Sequence, residues 1–397
     1  MNDASDPRVI LLTGKGGVGK TTAAAGTAAM AAARGLRTLV MSTDTAHSLA
    51  DALGTRVGAE PVQVALHLHA QQVDTQRRFE ESWVEIQRYL LSVLDAAGVD
   101  PITAEELTVL PGADEVLALL ELRRQVLSRA WDVIIVDCAP TAETLRLLAL
   151  PEALGWYMDR IFPMERRIVR ALKPVLAKAA GVPMPHDSVF DAVEKLHREL
   201  EEVQETLSGK NASVRLVLTP ETVVVAEARR SLTTLSLFGY QVDGVVANRV
   251  FPADEADAWR AGWVQAQAEV LADVERSFTG APVWRSAYQP HEPVGLAQLE
   301  AFAVAAYGGD DPLARPAGPG PMTLRRTESG ATLRIELPFA ERADVDLARH
   351  GDDLVVTVGS YRRLLPLPTA LRQHQVTGAR IDDRALRVKF TAREEKA

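Results

Sequence analysis

Apolar runs of strand length alternate with helix-length segments along the first two thirds of the chain. Five of these runs are strand candidates, at residues 9–13, 38–42, 133–137, 214–218 and 244–248, and most of them are continuously apolar. Continuous apolar runs are typical of strands that are covered on both faces of a parallel sheet. Because helix-length segments separate them, the pattern predicts an α/β fold with a doubly wound, mostly parallel sheet.

Two long segments, at about 74–130 and 153–207, interrupt this alternation and are predicted to be helical insertions. Apolar side chains recur at three- and four-residue spacing in both, which gives each segment an apolar stripe. The first stripe contains Trp83, Ile86, Leu90, Val93 and Leu94, and the second contains Met158, Ile161, Phe162, Met164, Ile168, Leu172 and Val175. The second stripe either packs on the first or lines a groove for hydrophobic protein segments, and the sequence leaves both open.

A change in composition near Gly308 predicts a second domain. Residues 308–321 are dense in Gly and Pro and poor in apolar side chains, which is typical of a linker. From residue 322 to 393, apolar and polar positions alternate in the runs TLRIEL, DLVVTV, RRLLPL and ALRVKF. Short alternating strands separated by turns predict an all-β sandwich. The predicted organisation is therefore a domain at 1–307, a linker, and a small sandwich.

Composition narrows the class of protein further. Of 397 residues, 47% are hydrophobic and 24% are charged, which is typical of a globular chain and not of a disordered one. The formal net charge of −9 disfavours a nonspecific nucleic-acid binder, because phosphate binding needs a basic surface. Cys138 is the single cysteine, so no intrachain disulfide is expected. The chain carries neither a signal-peptide pattern nor an apolar run of membrane-span length, and we expect it to be cytoplasmic.

The strongest chemical signal is a glycine-rich loop between the first strand and a predicted helix at 21–33. The loop consists of Gly14, Lys15, Gly16, Gly17, Val18, Gly19, Lys20, Thr21 and Thr22. Glycines allow backbone N–H groups to surround a phosphate, and the N-terminus of the following helix adds a favourable dipole. Lys20 can reach the β- and γ-phosphates, and the Thr21 hydroxyl can bind Mg²⁺. The pattern predicts a P-loop for ATP and Mg²⁺, since a purely structural turn needs no lysine followed by threonine.

Two aspartates follow predicted strands of the same sheet. Ligands of open α/β sheets gather at the carboxyl ends of the strands, so we expect Asp44 and Asp137 to lie near the phosphates. Asp137 ends an apolar strand, as in a Walker B motif, and is expected to hold Mg²⁺ directly or through a water. Asp44 either positions the attacking water or caps the following helix. We assign His47 no role and interpret Cys138 as a packing residue.

The segments GKGGVGKTT, STDTAHSLAD and DCAPTAETLRLLALP together resemble the arsenical pump ATPases and the tail-anchored-protein targeting ATPases, which are deviant Walker A P-loop proteins. The resemblance extends over about residues 8–305. It implies that Lys15 reaches the nucleotide of the facing subunit in a homodimer, although taken alone Lys15 would be a solvated lysine. It also implies that Asp44 activates water and that Asn248, near the end of VVANRV, contacts adenine. The implied partners are hydrophobic segments of client proteins, with a membrane receptor as a further candidate.

The chain also departs from this family, and its tail resembles another. Eukaryotic targeting members hold zinc between subunits with a Cys-x-x-Cys pair, which is absent here, so no zinc is expected. One cysteine cannot supply the soft ligands of an arsenite site. The runs ELP, GDDLVVTVG, RRLLPLP and ALRVKF resemble the α-crystallin domain of small heat-shock proteins.

The favoured function is an ATP-hydrolysing, dimeric chaperone or targeting factor for membrane or tail-anchored client proteins. One alternative is the catalytic subunit of an arsenite or antimonite efflux pump, which the ligand chemistry disfavours. Another is a positioning ATPase of the ParA or MinD type, of which the membrane-positioning members end in an amphipathic helix instead of β-patterned sequence. A last alternative is an ATP-gated holdase with negligible turnover.

Overall fold

The computed structural model describes residues 6–44, 48–73, 88, 91–92, 95, 113–139, 141, 144–145, 148–149, 187–254, 257–327, 330–382 and 384–392. The chain divides into two compact units. The first comprises Met1–Gln72, Arg129–Leu145 and Leu207–Ala397, and the second comprises Val73–Ser128 and Arg146–Thr206. The two apolar stripes predicted around Trp83 and Met158 lie outside the described residues.

The first unit is built on an eight-stranded sheet. Its strands are β1 (Arg8–Thr13), β2 (Thr38–Ser42), β3 (Val62–Ala65), β4 (Leu68–Gln72), β5 (Val133–Asp137), β6 (Ala212–Leu218), β7 (Val242–Val250) and β8 (Val283–Ala287). The strand order is β3-β4-β2-β5-β1-β6-β7-β8, and only the pair β3 and β4 is antiparallel. All residues of β1, β2, β5 and β6 are buried, so the predicted α/β fold with a mostly parallel sheet is confirmed.

The helices follow in chain order. They are α1 (Lys20–Ala33), α2 (Ser48–Leu53), α3 (Ala113–Leu127), α4 (Asp187–Ser208), α5 (Thr222–Leu237), α6 (Ala258–Ser277), α7 (Leu296–Tyr307) and α8 (Thr369–Arg372). The alanine-rich α1 is buried over most of its length because it packs closely on α7. A Cβ atom on Gly26 of α1 would lie 2.7 Å from the carbonyl oxygen of Leu299 in α7. The close packing of α1 on α7 therefore requires small side chains in α1.

A buried ion-pair network joins β1, β6 and β7. Arg215 of β6 has a side chain only 1% exposed, and it donates to both carboxylate oxygens of Asp243 at 3.1 and 2.8 Å. Arg8, the first residue of β1, donates to the same carboxylate at 3.0 Å. The Arg215 guanidinium also lies 4.6 Å from the ring centroid of Trp284 and donates to the Tyr307 hydroxyl at 3.1 Å. The two arginines thus share one buried anion, and Arg215 also contacts Trp284 and Tyr307.

The same two arginines bind the segment that was predicted to be a linker. Arg215 donates to the carbonyl oxygen of Pro312 at 2.6 Å, and Arg8 donates to those of Leu313 and Ala314 at 3.2 Å each. These bonds attach the start of the segment to the end of the sheet where β1 begins. The boundaries proposed at 308 and 321 stay predictions, but residues 312–314 of this stretch are bound to strands β1 and β6.

Residues from 322 onwards form two antiparallel sheets. One has the order β14-β15-β10-β9 and the other the order β11-β12-β13. Their strands are β9 (Met322–Thr327), β10 (Gly330–Glu336), β11 (Val345–His350), β12 (Asp353–Val358), β13 (Tyr361–Pro366), β14 (His374–Asp382) and β15 (Ala385–Ala392). In β10 buried residues alternate with partly exposed ones, as the period-two pattern predicted. The predicted C-terminal all-β architecture is therefore confirmed.

The core of this β-region also contains a residue from the first domain. Leu237, the last residue of α5, is fully buried within the same cluster as Leu333, Ile335, Leu354 and Val388. Around it, the Arg363 guanidinium donates to the Leu237 carbonyl oxygen, and the Thr233 hydroxyl donates to that of Pro338. The helix that follows β6 thus closes one side of the sandwich core.

The described part of the second unit is helical. In α4 the apolar side chains Val189, Phe190, Leu196, Leu200 and Val203 are buried, and this helix forms the described end of the insertion that was predicted to be helical at about 153–207. Arg123 of α3 bonds Glu202 of α4 at 2.7 Å. Among the described helices, none is both long enough and apolar enough to span a lipid bilayer.

Candidate nucleotide site

The glycine-rich loop joins β1 to α1 in a conformation that requires glycine. Gly17 and Gly19 have φ values of +80° and +94°, a region that other residues adopt only with strain. A Cβ atom on Gly19 would lie 2.3 Å from Asn248 Nδ2, and one on Gly14 would lie 2.0 Å from the carbonyl oxygen of Val217 in β6. The loop is therefore shaped by its own glycines and by close contact with the ends of β6 and β7.

Asp137 is the centre of the polar contacts beside this loop. It is fully buried at the end of β5. The Thr21 hydroxyl donates to its Oδ2 at 2.8 Å, and the Ser42 hydroxyl donates to the same atom at 3.4 Å. The other oxygen, Oδ1, has no hydrogen-bond donor among the described residues. The predicted metal residues Thr21 and Asp137 are thus brought together, with one carboxylate oxygen left over.

The chemistry of these residues fits Mg²⁺. Burial raises the pKa of Asp137 to about 6, and the nearby Asp44 carboxylate adds to the rise, while Thr21 and Lys20 oppose it. A buried carboxylate with an unpaired oxygen is unfavourable, and a cation bound directly or through a water would satisfy it. Hydroxyl and carboxylate oxygens are the ligands that Mg²⁺ prefers.

Asp44 lies on a backbone that is tied to the end of β5. The Thr43 N–H donates to the Asp137 carbonyl oxygen at 3.0 Å, and the Thr43 hydroxyl accepts from the Ala139 N–H at 3.3 Å. The Asp44 N–H donates to the Ser42 hydroxyl at 3.2 Å. The ends of β2 and β5 are thus fixed to each other, and the two aspartates lie in one polar site.

The two lysines of the loop have different environments. Lys20 is 7% exposed, and its Nζ donates to the carbonyl oxygen of Lys15 at 3.4 Å. Lys15 is partly exposed, beside the exposed residues Gly16 and Gly17. Lys20 therefore lies within the loop, as a lysine for its own nucleotide should, whereas contact of Lys15 with a facing subunit stays a prediction.

Asn248 supports the loop in this structure. Its Nδ2 donates to the Val18 carbonyl oxygen at 2.8 Å, and its Oδ1 accepts from the Arg249 N–H at 2.9 Å. The side chain is 6% exposed. Asn248 thus joins β7 to the P-loop, and the adenine contact implied by the family resemblance stays a prediction.

Cys138 is a buried packing residue. Its side chain is 3% exposed, and burial raises the pKa of the thiol, so it is protonated at neutral pH. A buried thiol with a raised pKa is a poor nucleophile, and its burial limits the access of a soft metalloid.

Two features at the carboxyl ends of the strands of this sheet were not predicted. Gln72, the last residue of β4, is 4% exposed, and its Nε2 donates to the Asp44 carbonyl oxygen at 2.8 Å. Phe251 and Tyr288, beyond the ends of β7 and β8, stack with ring centroids 5.2 Å apart. Trp259 and Trp263 pack around Phe251, and their four-residue spacing on one helix was a signal in the sequence. No sequence pattern pointed to Gln72.

Comparison with known proteins identifies the family. A family model described as anion-transporting ATPase matches residues 7–308. The chain belongs to this ArsA-type ATPase family. A second model, described as an HSP20-like domain found in ArsA, matches residues 328–390 of the ATPase.

Relatives of the chain match most of its length. A protein of Chlorobaculum tepidum named an arsenical pump-driving ATPase is 35% identical over 387 residues, covering 96% of both chains. A Streptomyces coelicolor protein named SCO2128 is 40% identical, covering 96% of this chain and 97% of its own. An ATPase ASNA1 homolog of Trypanosoma cruzi is 30% identical over 322 residues, covering 74% of this chain and 89% of its own. The prediction that the chain is an ATPase is confirmed, and its relatives include proteins named arsenical pump-driving ATPase and ATPase ASNA1 homolog.

Proposed function

We propose that this ATPase binds ATP with Mg²⁺ at the loop described above, and that hydrolysis uses Asp44 to orient the attacking water. Lys20 would contact the β- and γ-phosphates, and Thr21 and Asp137 would hold Mg²⁺, which when bound neutralises phosphate charge. Asp44 follows β2 next to Asp137 and lies on a backbone held by Ser42. Positioning and electrostatic stabilisation are most of what phosphoryl transfer requires of a protein.

The proposed working form is a cytoplasmic homodimer in which each Lys15 serves the nucleotide of the other subunit. Support comes from the deviant Walker A loop and from the different environments of its two lysines, one inside the loop and one partly exposed. A positive charge supplied across an interface makes hydrolysis depend on subunit contact, as an arginine finger does.

The proposed clients are hydrophobic segments of membrane proteins, and the ATPase acts as a chaperone or targeting factor for them. The observation that carries this choice over metalloid transport is the state of Cys138. It is the single cysteine of the sequence and it is buried, so this chain does not supply the several accessible thiols that a soft arsenite site uses. A membrane receptor is a further candidate partner.

The test is to trap clients on the Asp44→Asn variant with ATP in cells and to identify the proteins that co-purify. Asp51→Asn is the matched control, because Asp51 is exposed on α2 and takes no part in the site. Enrichment of proteins with hydrophobic tails on Asp44→Asn alone supports the proposal. Equal recovery of the same proteins with both variants contradicts it.

The competing candidate is a metalloid pump ATPase, which the name of the Chlorobaculum tepidum relative favours. Its test is ATPase activity with and without arsenite or antimonite. We expect no stimulation. A strong increase in turnover, together with capture of an integral permease by Asp44→Asn, would replace the targeting proposal with transport.

A further inference from the structure

The buried amide of Gln72 contacts the backbone on which Asp44 lies. Its Nε2 is 2.8 Å from the Asp44 carbonyl oxygen and 3.5 Å from that of Ser42. Gln72 ends β4, which pairs with β2 in register, so Ser42 and Gln72 are directly opposite each other. Its own N–H donates to the Gly58 carbonyl oxygen at 2.9 Å, which fixes the residue from which the amide extends.

Asp44 is thereby held from both sides of its Cα atom. Its N–H donates to the Ser42 hydroxyl at 3.2 Å, and its carbonyl oxygen accepts from Gln72. Two side chains therefore restrain the backbone torsions that set the direction of the Asp44 carboxylate. A carboxylate that orients water depends on such restraint of its backbone, because a displacement of about 1 Å in an active site can lower the rate about 100-fold.

Stability alone does not account for a glutamine at this position. The Gln72 Oε1 atom is buried and has no hydrogen-bond donor among the described residues. A buried amide oxygen without a partner costs about 1–3 kcal/mol, whereas an apolar side chain of similar length avoids that cost. The Gln72 Nε2 atom bonds the Asp44 backbone, whereas the unpartnered Oε1 atom lowers the stability of the fold.

We propose that Gln72 is a positioning residue for ATP hydrolysis, which holds the Asp44 backbone in the orientation that turnover needs. This inference rests on the proposed role of Asp44 in orienting water. Gln72 contacts neither the loop nor the Mg²⁺ residues Thr21 and Asp137 by any hydrogen bond described, so nucleotide affinity should not depend on it.

The test compares Gln72→Met with Gln71→Met. Gln71 is the adjacent residue of β4 and equally buried, but its Nε2 bonds the Ala59 carbonyl oxygen at 2.7 Å and not Asp44. We expect Gln72→Met to lower kcat about 10- to 100-fold, with the KM for ATP within about twofold and a thermal midpoint equal to or above wild type. Gln71→Met should keep kcat within about twofold. Gln72→Glu, which keeps the size but loses the donor, should also lower kcat, and it serves if Gln72→Met fails to fold.

A double variant separates this inference from the proposal on which it rests. If Gln72 acts through Asp44, Gln72→Met in an Asp44→Asn background should lower kcat no further, because both changes remove the same function. Normal turnover in Gln72→Met and Gln72→Glu, with impaired Asp44→Asn, would overturn the role of Gln72 alone. Normal turnover in Asp44→Asn would overturn both.

Discussion

Replacement of Leu237 by Ala should destabilise the ATPase sheet and the β-sandwich together. Leu237 is the last residue of α5. It is fully buried, with 0% of its surface accessible, inside the hydrophobic cluster of the two sandwich sheets. Truncation removes three carbon atoms from a close-packed site and leaves a cavity between α5 and the sandwich. Because Leu237 belongs to a helix of the ATPase region and packs in the core of the sandwich, we expect both regions to unfold in one transition whose midpoint shifts.

The magnitude follows from burial. Fully buried Leu→Ala changes cost about 2–5 kcal/mol, depending on how far the site can collapse. We expect a value near 3 kcal/mol, because the hydrogen bonds of Thr233 and Arg363 hold α5 against the sandwich and limit collapse. Leu127→Ala is the matched control. It also ends a helix, but Leu127 is 57% exposed, so its effect should stay within about 0.5 kcal/mol.

The assay is urea unfolding followed by tryptophan fluorescence and by far-UV circular dichroism. All six tryptophans precede residue 308, so fluorescence reports the ATPase region, whereas circular dichroism also reports the sandwich. We expect the two midpoints to coincide in wild type and to move together in Leu237→Ala. A loss below about 1 kcal/mol, or a sandwich transition separate from the fluorescence transition, would refute the reasoning.

Two further predictions concern buried carboxylates. Asp243→Asn leaves Arg8 and Arg215 without their shared anion, and we expect urea unfolding to show a loss of about 3–5 kcal/mol, against at most about 1 kcal/mol for Asp132→Asn, whose surface ion pair is partly exposed. The folded-state pKa of Asp137 is raised to about 6, so ionisation of this carboxyl lowers the free energy of unfolding. This loss is absent below about pH 4, grows between pH 4 and pH 6, and is constant above pH 6. Asp137→Asn should therefore stabilise the nucleotide-free protein at pH 7 by up to about 3 kcal/mol in thermal or urea unfolding while lowering ATP hydrolysis, and an unchanged stability would contradict this.

The parts of the fold that the sequence predicts well are those where burial alone decides the residue type. Strands β1, β2, β5 and β6 are buried at every position, and apolar side chains occupy most of those positions, which gives the runs their apolar character. The β3–β4 hairpin and the edge strand β8 were not predicted. β4 has buried glutamines at two of its five positions, and β8 alternates buried with exposed residues over only five. Short and edge strands have too little periodicity to identify.

The residues of the candidate nucleotide site also fall into those that the sequence predicts and those that it does not. The loop, Asp44 and Asp137 could be predicted because each follows a recognisable strand and carries a residue type that phosphate or Mg²⁺ chemistry demands. Gln72 could not be, because its contact with Asp44 joins residues 28 positions apart through backbone geometry at two neighbouring strand ends. The role of Leu237 was hidden for a similar reason, since a leucine at the end of a helix does not reveal which core it enters.

The most direct test of the account mixes two variants, each inactive by itself. In a shared dimer site, a Lys15→Ala subunit keeps its own Asp44 and can receive Lys15 from an Asp44→Asn partner, so each mixed dimer has one complete site. An equimolar mixture with free exchange should therefore recover about a quarter of the wild-type ATPase rate per subunit. A rate no higher than the sum of the two separate variants would show that Lys15 does not act across the subunit interface.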